Sequence, residues 1–179
     1  MEISTEDRLY DDFPRGMVIS TVLVQVAIYV LGAYIVLQFG LVFLVVYIAC
    51  VLALEYRVLR HSCVNCYYYG KLCCFGRGRL CAVFLGREDP KAFLRKEIRW
   101  VDILPEFLIS LIPLVLGIIL LVTSFHIALL LAVVALGILA FPVQGFIRGT
   151  WSCRFCRQRE LGCPAEKLFA RKSQEMTEA

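Results

Sequence analysis

"GMVISTVLVQVAIYVLGAYIVLQFGLVFLVVYIACVLAL", residues 16 to 54, runs for 39 residues without an Asp, Glu, Lys or Arg. A helix rises about 1.5 Å per residue, so roughly 20 apolar residues cross the ~30 Å hydrocarbon of a bilayer. The stretch is too long for one crossing and must fold back. The polar break nearest its centre is Gln38–Gly40. A second uncharged block, residues 107 to 147, has its break at Thr123, Ser124 and His126. These runs predict four helices, at about 17–37, 41–59, 105–122 and 127–148, arranged as two hairpins. Of the 179 residues 60% are hydrophobic and 19% charged, below the roughly 25% usual for soluble domains. The expected class is an all-α integral membrane protein. The opening "MEISTEDRLYDDFPRG" is acidic, and the apolar run behind it is too long for a signal peptide, so the first span is expected to stay uncleaved.

Charge gives the orientation. All 19 Lys and Arg residues lie before residue 16, between residues 55 and 102, or after residue 147. Neither tight turn carries one. Short Lys/Arg-rich segments stay in the cytoplasm. Four spans keep both termini and the middle loop on one side, so the termini and the Cys-rich loops are expected to be cytoplasmic, at the cell membrane.

Two stretches then repeat. "SCVNCYYYGKLC" holds Cys63, Cys66 and Cys73, and "SCRFCRQRELGC" holds Cys153, Cys156 and Cys163, both as Ser-Cys-x2-Cys-x6-Cys at an offset of 90. Upstream of each hairpin stands Asp-x-x-Pro, from Asp11 and from Asp102. The chain therefore reads as a duplicated unit, residues 1–90 and 91–179, together one membrane domain. Each copy is a helical hairpin followed by a cytoplasmic Cys-rich loop. Two hairpins of equal orientation are parallel repeats, related by an axis along the membrane normal. Small residues at Gly32, Ala33, Gly117, Ala132, Ala135 and Gly137 suit close helix packing. Pro113 and Pro142 are expected to kink their helices.

A reducing compartment disfavours disulfides, so eight cytoplasmic thiols point to metal binding or redox chemistry. Cys50, inside the second span, reads as a packing residue. A tight Cys-x2-Cys turn aims two sulfurs at one ion, which fits tetrahedral zinc or an iron–sulfur cluster. The candidate ligands are Cys63, Cys66, Cys73, Cys153, Cys156 and Cys163. The second triplet has no later Cys or His. Its fourth ligand must come from the first repeat, where Cys74, Cys81 and His61 are further candidates, or from water. Zn2+ is favoured, with an iron–sulfur cluster as the alternative. Neither triplet matches the ferredoxin run of cysteines.

"CCFGRGRLC" lacks the phosphate-binding Walker pattern and reads as a flexible basic loop near anionic lipid headgroups. "EDPKAFLRKEIRW", residues 88 to 100, predicts a short helix on the membrane surface. The aromatic run Tyr67–Tyr69 suits either the membrane interface or the shielding of a bound group. Polar residues within the spans are few, with Gln25 and Gln144 the strongest, which argues against a charged transport pathway.

Four spans with a Cys-rich cytoplasmic loop between the second and third resemble the layout of the protein palmitoyltransferases. The Asp-His-His-Cys signature of that family is absent here, so no catalytic residue carries over. No nucleophile–base pair stands out, and the balance leans away from an enzyme. Three functions follow: a membrane anchor or interaction scaffold locked by a duplicated metal site, an iron–sulfur electron-transfer subunit, or a handler or transporter of soft metals. The expected partners are the bilayer, its anionic headgroups and a cytoplasmic protein; nucleic acid is not expected.

Overall fold

The computed structural model describes residues 9–89 and 100–163. Their regular elements are all helices, with no strand among the described residues beyond one isolated bridge between Tyr10 and Cys156. Helix α1 spans Arg15–Leu37 and α2 spans Leu41–His61. Between them the amides of Gln38, Phe39 and Gly40 bond three residues back onto α1, and Gly40 turns the chain at φ +122°, a conformation open to glycine. The short helix α3 spans Arg77–Phe84 and the long helix α4 spans Trp100–Thr123. Thr123 Oγ1 donates back to the carbonyls of Ile119 and Leu120, and Ser124 N–H to Leu120, which closes α4. Helix α5 begins at Ile127 and is regular to Ile138. The predicted surface helix at residues 90–99 lies outside the described residues.

Two findings refine the sequence expectations. Helix α4 stays helical through Pro105 and Pro113. Past Ile138 the α5 helix widens into a π-turn at Leu139–Val143, tightens at Gln144–Phe146, and widens again at Ile147–Ser152. Pro142 sits in the first wide turn. Its ring lacks an N–H and crowds the carbonyl four residues back, and widening the turn relieves both problems.

The chain divides into two compact units. The helical unit comprises residues 20–58 and 100–147. Ile28 and Ile35 of α1 are buried with Leu129, Ala132, Val133 and Leu136 of α5. A second cluster joins Val36, Tyr47 of α2 and Ile109 of α4. Glycines set the spacing. A Cβ on Gly117 would stand 2.5 Å from Val133 Cγ2 and 3.3 Å from Ile35 Cγ2. A Cβ on Gly32 would overlap the Tyr47 ring. Gln144 Nε2 donates to Gln25 Oε1 at 2.7 Å, and the Tyr29 hydroxyl donates to Glu55 at 2.6 Å, while the buried Tyr47 hydroxyl and Gln144 Oε1 find no hydrogen-bond partner among the described residues.

The outward faces remain apolar. Leu41, Val42, Val45, Leu52, Ile118, Val122 and Leu131 are all exposed. Among the described residues four helices are long and apolar enough to cross a membrane: Arg15–Leu37, Leu41–Asn65, Leu104–Thr123 and Ile127–Ser152. Contiguous apolar surface of this extent does not suit water.

Candidate functional site

The cysteine unit comprises residues 9–19, 59–89 and 148–163 among those described. Both Cys-x2-Cys turns fold alike. Cys66 N–H donates to the Cys63 carbonyl at 3.2 Å, and Cys156 N–H to the Cys153 carbonyl at 3.4 Å. Tyr69 N–H then reaches the Cys66 carbonyl, and Arg159 N–H the Cys156 carbonyl, each at 3.1 Å. Every one of these pairs keeps the 90-residue offset of the sequence repeat. Cys73 Sγ accepts the Gly78 amide at 3.2 Å.

The two loops meet. Tyr67 N–H donates to the buried Gln158 side chain at 2.8 Å, and the Tyr68 hydroxyl accepts the Arg157 amide at 3.0 Å. The segment Tyr10–Phe13 laces them. Tyr10 N–H donates to the Phe155 carbonyl, and the Tyr68 hydroxyl donates to the Tyr10 carbonyl. Asp12 accepts the Leu72 amide, and Phe13 N–H reaches the Leu72 carbonyl. Asp11 accepts from the Tyr67 hydroxyl and from the Arg157 guanidinium. Those two bonds, the Tyr67 bond first, hold its carboxyl below the usual range. Lys71 and Arg157 lie over the Tyr67 ring, 4.2 and 5.7 Å from its centroid. Beneath this latch Phe13, Val18, Tyr68 and Cys74 form a buried floor.

Burial pushes the Cys66 thiol up to about 11, with the nearby Cys73 and Cys163 thiols adding to the shift and its amide donors opposing it. Burial pushes Cys156 to about 12, and Cys66, Cys163 and Cys153 add to it. A thiol whose pKa burial raises keeps its proton until a cation replaces it.

The candidate ligands differ in setting. Cys63, Cys66, Cys73, Cys156 and Cys163 are half-buried, and Cys153 is exposed. Cys74 is buried in the aromatic floor. Cys81 is buried with Leu59 and Val64, and its thiol faces the Leu59 carbonyl at 3.7 Å. His61 is exposed on the last turn of α2. Among the described residues no three Cys, His, Asp or Glu side chains converge closely enough to hold a metal ion. The interloop residues Asp11, Tyr67, Tyr68, Arg157 and Gln158 were not singled out as site residues by spacing. The Asp-x-x-Pro motif and the tyrosine run marked their places without revealing the contacts.

The chain matches no protein-family model, no curated protein and no solved structure.

Proposed function

We propose that this chain is a multi-pass membrane protein whose duplicated Cys loops share one thiolate metal site. In this account the site locks a cytoplasmic face that serves as a membrane anchor or interaction scaffold. The observation that carries the proposal is the matched pair of Cys-x2-Cys turns, closed by the same backbone bonds at Cys63–Tyr69 and Cys153–Arg159, in two loops laced to each other. A Cys-x2-Cys turn closed in this way presents two sulfurs from one loop, and two such turns present four. Zinc is the favoured ion, because its filled shell accepts the tetrahedral sulfur set that two such turns supply. Cys63, Cys66, Cys153 and Cys156 are its first candidates, with Cys73 and Cys163 flanking. Ligation draws the chosen sulfurs to about 4 Å from one another, and ions with ~2.3 Å sulfur bonds impose that closure.

The membrane part of the proposal rests on the four apolar helices and their lipid-suited outer faces. The hairpins act as parallel repeats, with termini and Cys loops in the cytoplasm where the Lys and Arg residues gather. The basic loops then meet anionic headgroups, and the laced surface is where a cytoplasmic protein partner docks.

Elemental analysis of protein purified without oxygen tests the metal. Zinc bound in a fixed ratio to protein supports the proposal. Iron with absorbance near 400 nm replaces zinc by an iron–sulfur cluster and the scaffold by electron transfer. Selective uptake of copper or mercury ions points instead to soft-metal handling. Protein free of metal after such a preparation overturns the site.

A further inference from the structure

Helix α3 carries its apolar side chains on the face it does not bury. Gly78 and Cys81, three residues apart, pack inward. Leu80, Val83 and Phe84, at the i, i+3, i+4 spacing of one helical face, are 47, 77 and 71% exposed. The segment from Lys71 to Arg87 contains Lys71, Arg77, Arg79 and Arg87 and no acidic residue. An outward apolar stripe bordered by cations matches a lipid surface whose headgroups are anionic.

Its position agrees. Within the cysteine unit, Cys81 of α3 packs on Leu59 and Val64, at the end of α2. Leu59 lies 18 residues beyond Leu41, where α2 begins. At ~1.5 Å per residue that is about 27 Å, close to one hydrocarbon thickness. Leu59, the residue Cys81 packs against, is thus about one span's length along the chain from the start of α2.

We propose that α3 is an interfacial membrane helix, with Leu80, Val83 and Phe84 seated at the acyl boundary and Arg77, Arg79 and Arg87 among anionic headgroups. This rests on the membrane assignment above and gives the basic loop an ordered, lipid-bound role. Protein docking on the same face is the rival outcome.

The test uses the full chain with Trp100→Phe and Trp151→Phe, reconstituted into phosphatidylcholine vesicles with and without phosphatidylglycerol. Phe84→Trp and, separately, Val83→Trp report on α3; Leu52→Trp, on the exposed middle of α2, reports on insertion. Lipids brominated near the headgroup or near the chain end quench tryptophan by depth. The expected result is quenching of Leu52→Trp by the deep bromines and of both α3 reporters by the shallow ones. Moving the bromines onto the anionic lipid should strengthen α3 quenching about twofold, and Arg79→Glu with Arg87→Glu should abolish that preference. Quenching of Leu52→Trp alone overturns the α3 proposal and leaves the membrane assignment standing, with the apolar stripe free for protein. Deep rather than shallow quenching of α3 overturns the interfacial placement. No quenching at any position overturns both.

Discussion

Gly78 and Asp11 show how single residues build the cysteine unit. A Cβ on Gly78 would stand against the backbone carbonyls of Tyr68 and Lys71, which cannot rotate away as a side chain does. Gly78→Ala should therefore cost roughly 1–3 kcal/mol, in the range of other overpacked sites. Faster thiol labelling of the buried Cys81 is the readout, with Gly86→Ala, which meets nothing within 4 Å, as the silent control. Asp11 holds both loops through a charge. Its folded-state carboxyl lies below the ordinary 3.8, so its contribution is complete above that value and is lost as pH falls through the lower native one. At neutral pH, Asp11→Asn should label Cys156 several-fold faster with dithiodipyridine, which reacts even in acid. The difference from wild type should shrink below pH 3.8 and vanish once the pH has fallen through the lower native value. A difference that persists in acid would mean that the carboxylate charge does not hold the latch.

The helices were the most legible elements. Uncharged runs set their cores, and Gln38–Gly40 and Thr123–His126 marked their turns, because polar and glycine residues are hard to place within a greasy span. The ends moved by a few residues: α2 reaches His61 and α4 begins at Trp100. The π-turns in α5 were hidden, since Pro142 announces a disturbance without saying whether the helix bends or widens. Helix α3 was read as a loop because its glycine and arginine flanks mask a face of only three apolar residues. Gly117 tests the packing of the helical unit. A Leu there must displace Val133 and Ile35, so Gly117→Leu should destabilise the solubilised protein by about 1–3 kcal/mol. A Cβ on Gly137 makes only ordinary contact, 3.7 Å from Leu114, so Gly137→Ala should leave the melting temperature unchanged or higher. Equal loss from both would refute the close approach at Gly117.

Orientation and the shared metal site are properties of the whole molecule. Cysteines introduced by Gly40→Cys and Ser124→Cys should react with an impermeant reagent on intact cells, whereas the native loop thiols should react only after lysis. Labelling of Cys63 from outside would reverse the topology. The candidate site was half legible. Spacing named the six cysteines, since a copied motif is visible in sequence. The contacts that join the loops were not legible, because Asp11, Tyr67 and Arg157 lie 56 to 146 residues apart in the chain and meet only in the fold. Metal content in single-loop variants tests the central claim most directly. If the loops share one ion, Cys66→Ser in the first loop and Cys156→Ser in the second should each remove nearly all bound metal from the anaerobically purified protein. If either variant keeps half of it, each loop holds its own ion, and unchanged content in both would show that these cysteines ligate none.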